Sequence, residues 1–215
     1  EDGTKQSLST IVACGVVGII IASVNLTSFG STLTAAITQV GAGSLFLTLF
    51  LTMIASIILG MGLPSIPAYI ITATMAAPAL AEFGMPVLVA HLFVFYFGIF
   101  ANITPPVALA SFAAAGLSGG NAMTTSLISV RLAIAGFMVP FLFAYQPALL
   151  MVDTSNVATN ATEFPMAPIG TIAMVAIISI IGVIALSAAI EGYFKTHLTV
   201  LERIILGAAA LGMII

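Results

Sequence analysis

Two stretches decide how this chain folds: ILGMGLPSIPAYIITATMAAPAL at Ile58–Leu80 and AHLFVFYFGIFANITPPVALASFAAAGLSG at Ala90–Gly119. Each is an apolar segment broken in its middle. In the first, Gly60, Gly62, Pro64 and Pro67 lie between the apolar flanks Ser44–Leu59 and Ala68–Ala81. In the second, Asn102, Thr104, Pro105 and Pro106 separate Val87–Phe100 from Val107–Leu117. Proline inside a helix costs about 3 kcal/mol and frees a backbone carbonyl. A lone proline would only kink a helix. Two glycines and two prolines so closely spaced are enough to reverse the chain. The first stretch therefore predicts a helical hairpin with its tip at Gly60–Pro67, and the second a helix unwound over Ala101–Val107.

The surroundings of these breaks are hydrocarbon. Of 215 residues, 61% are hydrophobic and only 5% charged, against about 25% charged in an ordinary soluble domain. No charged side chain occurs between Lys5 and Glu82. Such a composition cannot cover a water-facing surface, which excludes a cytosolic enzyme and a secreted disulfide scaffold. Four Lys plus Arg make no footprint for phosphates, so nucleic acid is excluded as a partner. The remaining class is an all-α integral membrane protein in contact with lipid. Cys14 is the sole cysteine and forms no intrachain disulfide. The chain opens on Glu1 without a signal-peptide pattern and closes inside the apolar run Ile204–Ile215, so it is expected to be a piece of a longer polypeptide.

Read along its length, the chain divides into a region 1–150 and a region 151–215. The first holds a span at Leu8–Leu26 and a Thr-rich arm to Val40 (together 8–40), the hairpin 43–81, the broken helix 87–117 and a span at 126–150. The second holds a polar loop Met151–Pro165, a span Met166–Ile190, a charged link Glu191–Arg203 and the final apolar run. With Lys5 on the cytoplasmic side, Glu82, Asp153 and Glu163 fall outside. Arg131, Lys195 and Arg203 then fall inside, as the positive-inside rule prefers.

Backbone freed at membrane depth survives only where protein buries it or where it lines a wet cavity. A half-helix that starts there presents N–H groups and about half a unit of positive charge, which attracts carboxylates. Unwound carbonyls and hydroxyls coordinate Na⁺. The hard oxygen donors within reach are Ser65 at the first break and Asn102 and Thr104 at the second. Ser65 and Thr104 would equally serve as helix caps. Neither break carries a carboxylate, so neutral oxygens would hold the ion. No metal-ligand spacing, nucleophile elbow or phosphate loop occurs, so catalysis and a prosthetic group are not expected. His91 stands one turn into its helix, beside Phe93, Phe95, Tyr96 and Phe97, where an interfacial role competes with a functional one. Arg131 either meets an anionic group or snorkels to the interface, the second being favoured. Glu82 is expected to end the hairpin in water.

The two quoted stretches resemble the large membrane subunit of tripartite ATP-independent periplasmic (TRAP) transporters. YQPALLM at Tyr145–Met151 and IALSAAIEGY at Ile184–Tyr193 resemble the variant whose small and large membrane subunits are fused. The resemblance implies an elevator-type fold of two inverted repeats, of which this chain would be the second, with its re-entrant hairpin and discontinuous helix. It implies a secondary transporter permease importing organic anions such as carboxylates, driven by Na⁺ or by protons. Partners would be a periplasmic solute-binding protein and the N-terminal remainder of the permease, in the inner membrane of a bacterial or archaeal cell. Gly60, Met61, Gly62, Pro64 and Ser65 would shape one side of the ion and substrate site, and Asn102, Thr104, Pro105 and Pro106 the other. An ion channel and a non-transporting scaffold subunit are the rival readings. No filter-like run of carbonyls supports the first, and the second requires both breaks to tolerate substitution.

Overall fold

The structure is a computed structural model, and it describes residues 2–41, 43–154 and 165–214. Glu163 and the side chain of Lys5 lie outside the described residues. The chain forms two compact units, 1–127 and 128–215.

The first unit begins with α1 (Asp2–Leu26) and α2 (Phe29–Gly41), which meet at a bend of 70°. Ser28 sits at the elbow with φ +55. The hairpin follows as α3 (Leu45–Gly60), α4 (Ser65–Met75) and the short α5 (Ala77–Ala81). Ser44 opens α3, its hydroxyl accepting from the Leu47 N–H at 3.4 Å. Next come α6 (Val87–Phe100) and α7 (Leu109–Ser118), the two halves of the broken helix. Both hairpin arms pack on each other and on α6. Phe93, Phe97, Leu49, Leu80 and Val89 are fully buried, and the Phe93 and Phe97 rings meet edge to face at 4.9 Å.

Helix α8 (Ala122–Phe137) runs from the first unit into the second and continues as α9 (Val139–Tyr145). It starts earlier than the expected Ser126 because Asn121 caps it, Oδ1 accepting from the Thr124 N–H at 3.0 Å. It ends before the expected Leu150 because Pro147 begins a separate 3-10 turn, Pro147–Leu150. In the second unit, α10 (Ile169–Glu191) follows Pro168 rather than starting at Met166, since Met166 bridges to Val152.

The charged link is more ordered than its composition predicts. Gly192, at φ +73, closes α10 with its N–H on Ala188 O, a left-handed cap that glycine adopts without strain. Strands β1 (Tyr193–Phe194) and β2 (Thr196–His197) then turn about Lys195 and lead into α11 (Val200–Ile214). Arg203 reaches back to the end of α10, donating from Nε to Ala189 O and from Nη2 to Ile190 O, both at 2.7 Å. A cation there complements the negative end of the helix dipole. Arg131 comes to the same end and pairs with Glu191 at 3.4 Å. Expected to snorkel, it has an anionic partner on the protein.

Two helices among the described residues are long and apolar enough to cross a membrane, Ala122–Tyr145 and Ile169–Glu191. Cys14–Leu26 and Phe29–Gly41 meet that criterion only together, across their bend. The 16 residues of α3 span only about 24 Å, short of a hydrocarbon core of about 30 Å. The outer surface is apolar: Leu26, Leu117 and Ile169 are 88%, 93% and 79% exposed. Lipid solvates such side chains, so helix association rests on close packing rather than on their removal from water.

The start of α11 carries a reciprocal cap. Thr199 donates its backbone N–H to Glu202 Oε2 at 2.7 Å and its hydroxyl to the same oxygen at 2.9 Å, while the Glu202 N–H donates to Thr199 Oγ1 at 3.4 Å. The Thr199 backbone and side-chain bonds hold the Glu202 carboxyl below its ordinary value of 4.5. The cap therefore contributes fully above pH 4.5 and is lost as pH falls through the lower folded value. Amide exchange protection in the first turn of α11 is expected to fall on acidification in the intact chain. In Glu202→Gln it is expected to be lower at neutral pH and to lose that acid step.

Candidate functional site

At the hairpin tip the chain reverses through Met61–Leu63. Gly62 adopts φ +76, and the Leu63 N–H returns to Gly60 O at 3.3 Å. Pro64 precedes the first turn of α4 with ψ 159, without a side-chain cap. Ser65 is thus the first helical residue and not the cap, a correction to one expected structural role. Its exposed hydroxyl makes no hydrogen bond among the described residues. The N–H groups of Ser65 and Ile66 also donate to no backbone carbonyl among the described residues, and Pro67 has no N–H to offer. The tip is a donor-rich helix end.

The break in the second helix has the opposite character. Past Ala101 the ladder tightens from four-residue to three-residue spacing, with Asn102, Ile103 and Thr104 N–H groups on Ile99, Phe100 and Ala101 carbonyls at 3.0, 3.1 and 3.3 Å. Thr104 donates its hydroxyl to Phe100 O at 2.8 Å and Asn102 its Nδ2 to Ile99 O at 3.2 Å. Thr104 therefore closes the end of α6 and does not cap α7, whose preceding residue is Ala108 in the left-handed region at φ +36. The Ala110 N–H crosses the break to Asn102 O at 2.9 Å. Pro105 and Pro106 are joined by a cis peptide and supply no donors. Among the described residues, the carbonyls of Ile103, Pro105, Pro106 and Val107 receive no backbone N–H. The break is acceptor-rich. With its hydroxyl proton spent on α6, Thr104 Oγ1 retains only lone pairs, and Asn102 Oδ1 is an acceptor, while Asn102 Nδ2 keeps its second N–H.

Tip and break are brought together by close backbone packing. A Cβ placed on Gly60 would lie 2.5 Å from Gly98 O and 2.8 Å from Gly98 Cα. A Cβ on Gly98 would stand 3.5 Å from Thr72 in α4, and one on Gly62 would stand 3.6 Å from Val107 Cγ1 in the break. Glycines at the crossing of α3 and α6 let the backbones touch. Met61, Pro64 and Ser65 lie on the tip and Asn102, Thr104, Pro105 and Pro106 on the break, and no hydrogen bond links the two groups among the described residues. The Gly62–Val107 approach is the direct meeting of the two.

Sequence reasoning missed a second set of oxygens. Thr48, Thr52 and Ser56 recur at every fourth position on α3 and are completely buried, as is Thr72 on α4. Thr52 Oγ1, Ser56 Oγ and, on the first turn of α7, Ser111 Oγ are buried without a hydrogen-bond partner. An unmet buried hydroxyl costs about 1–3 kcal/mol, so such groups call for a reason. The helical spacing of 48, 52 and 56 is the signal that could have found them. His91 is tied to the hairpin: its Nδ1 and Tyr69 Oη form a hydrogen bond of 3.0 Å, and Tyr69 also meets Phe95 edge to face at 5.4 Å. Glu82, at the base of the hairpin, is exposed as expected. No cluster of three or more His, Cys, Asp or Glu occurs among the described residues.

A family model described as tripartite ATP-independent periplasmic transporter, DctM component, matches residues 1–158. No curated protein and no solved structure matches the chain.

The glycine contact is testable by itself. Gly60→Ala is expected to force α3 and α6 apart at a cost of about 1–3 kcal/mol, lowering the unfolding midpoint of the purified protein. Gly15→Ala, whose Cβ meets nothing within 4 Å, is expected to leave the midpoint unchanged or raise it. Equal midpoints for the two variants would contradict the contact.

Proposed function

We propose, from the premise that this chain belongs to the DctM component family of TRAP transporter permeases, that it carries the second hairpin and broken helix of an elevator-type permease for organic anions such as carboxylates. The family is one of transporter permeases, not of enzymes, and the apolar helices make this a multi-pass membrane protein. The observation that carries the finer reading is the meeting of a donor-rich helix start at Gly60–Ser65 with an acceptor-rich break at Asn102–Val107.

Physics assigns the two halves different ligands. The start of α4, with its N–H groups and positive dipole end, suits a substrate carboxylate. The carbonyls of the break, with Thr104 Oγ1 and Asn102 Oδ1, suit a hard cation bound through neutral oxygens. Sodium is the coupling ion such a donor set favours, with protons the alternative. Ser65 would contribute a further hydroxyl from the tip. The buried Thr52, Ser56 and Ser111 hydroxyls add oxygens without charge.

In this reading the ion bound at the break draws the tip onto it and completes the anion site. The loaded unit then moves as a rigid body, so the freed backbone is never exposed to acyl chains. Substrate would arrive from a periplasmic solute-binding protein. The N-terminal remainder of the permease would supply the opposing hairpin and helix, in the inner membrane of a bacterial or archaeal cell. Residues beyond 158 lie outside the matched range, and we read them as the extra spans of the fused variant. The grouping of Arg131 and Arg203 at one end of α10 supports a cytoplasmic placement for that end.

In the full-length permease with its binding protein, Thr104→Ala and Ser65→Ala are expected to shift half-maximal uptake to higher sodium, each by about tenfold for a loss of roughly 1.4 kcal/mol. Sodium titrations that superimpose on the unsubstituted protein would remove both residues from the ion site. Discrete single-channel currents without the binding protein would replace the transporter by a channel.

A further inference from the structure

The turn between α10 and α11 stands at the edge of the hydrocarbon. Helix α10 has 23 residues and is about 35 Å long. That is enough to cross an apolar layer of about 30 Å, so its end at Glu191 reaches headgroup level. The exposed Tyr193 and Phe194 follow it, and tyrosine favours that level. Helix α11 then packs back along α10. Between the two helices, just inside the turn, lies a groove of about 480 Å³, within the roughly 300–1,000 Å³ of ordinary ligand pockets. Leu186, Ala189 and Ile190 line it from α10, and Val200, Ile204 and Gly207 from α11. Among the described residues, Arg203 is its only polar side chain.

The charge and the donors of Arg203 are both left over. The carboxylates at this end are engaged elsewhere. Glu191 pairs with Arg131 at 3.4 Å, and Glu202 Oε2 accepts from the Thr199 N–H and hydroxyl at 2.7 and 2.9 Å. Arg203 and Lys195 form no ion pair among the described residues. A guanidinium carries five N–H donors. Nε and Nη2 of Arg203 each give one to a neutral carbonyl of α10. The second N–H of Nη2 and both of Nη1 donate to nothing among the described residues. The two bonds that form hold the fork in place, and Gly192 lies against it: a Cβ there would stand 3.1 Å from both Cζ and Nη1. A fixed, uncompensated cation thus borders an apolar groove.

Its complement is an anion joined to a hydrocarbon chain. A free phosphate or carboxylate would satisfy the donors and leave the apolar walls empty. An uncharged chain would fill the groove and leave the donors unmet. A zwitterionic phospholipid would bring one more cation to an end that already holds Arg203 and Lys195. We infer that the α10–α11 groove binds an anionic phospholipid, with its phosphate on the Arg203 guanidinium and an acyl chain against Leu186, Ile190, Val200 and Ile204. Phosphate suits the planar fork of an arginine, and basic pockets between membrane helices take anionic headgroups. A lipid seated there touches both helices and holds their turn at the interface. This inference rests on the second unit alone and stands apart from the ion and anion site proposed above.

The test uses the whole chain in phosphatidylcholine nanodiscs that carry a trace of phospholipid with a photoreactive group in its acyl chain. The probe is phosphatidylglycerol in one set and phosphatidylcholine with the same chains in the other. Mass spectrometry after illumination locates the label. Phosphatidylglycerol is expected to label residues 186–207 more strongly than phosphatidylcholine does. Arg203→Gln is expected to lower that preference by about fivefold, the worth of one cation near an anionic surface, and Arg203→Lys to restore part of it. Gly207→Leu fills the groove while leaving the cation in place, since a Cβ at 207 makes only an ordinary contact of 3.8 Å with Ala189 Cβ. It is expected to reduce the labelling too, and serves if Arg203→Gln folds poorly. Equal labelling by the two lipids, labelling that survives either substitution undiminished, or displacement of the probe by soluble glycerol phosphate would overturn the proposal. So would the absence of label from this stretch, which would mean that a protein segment closes the groove.

Discussion

A backbone carbonyl or N–H in hydrocarbon has no water to turn to, and the two breaks of the first unit are shaped by how that demand is met. In α6 the ladder tightens before it ends, the Thr104 hydroxyl and the Asn102 amide donate back to the last turns, and the Ala110 N–H reaches over the break to Asn102. What is left over is asymmetric. Acceptors accumulate at Ile103–Val107 and donors at Ser65–Ile66. At the hairpin tip Gly62 comes up to Val107 of the break. Gly60 and Gly98 permit that approach because neither carries a Cβ, and a methyl at Gly60 would fall within the Gly98 backbone. Membership of the TRAP permease family gives this arrangement its setting, since a transporter needs polar backbone in hydrocarbon and must keep it covered.

The second unit answers the same demand with side chains. The last carbonyls of α10 are taken by the Arg203 guanidinium and by Gly192, and the first N–H groups of α11 by Thr199 and Glu202. The charges of the link therefore serve the ends of its helices. Arg131 joins them through Glu191, so the polar groups collect where the two helices turn and leave their flanks to lipid.

Much of this was legible in the chain itself, for identifiable reasons. Gly and Pro act locally, so the tip at Gly60–Pro67 and the break at Ala101–Val107 stand where their spacing puts them. Helix ends were less legible, because they depend on single hydrogen bonds: Asn121 draws α8 forward, and Met166 is held in a bridge to Val152 ahead of α10. The alternative of helix capping by Ser65 and Thr104 fails for a related reason. Pro64 takes the place before α4, and Thr104 bonds backward to Phe100 rather than forward. Thr52 and Ser56 passed unnoticed because an apolar average hides two hydroxyls, although their spacing points to one face. Nothing local could reveal the groove beside Arg203, which unites Leu186 with Gly207 through the return of α11 along α10.

The central claim is that tip and break meet. Cysteines placed at Gly62 and Val107, with Cys14 replaced by Ser, test it in the membrane-embedded protein. A Cβ at Gly62 stands 3.6 Å from Val107 Cγ1, close to where a cysteine sulfur at 107 would lie, and a disulfide requires such proximity. Mild oxidation is expected to join this pair quickly and protect both thiols from alkylation, while cysteines at Gly62 and Gly116 stay free. Equal, slow cross-linking of the two pairs would show that the tip does not rest on the break, and the account built on their meeting would fail.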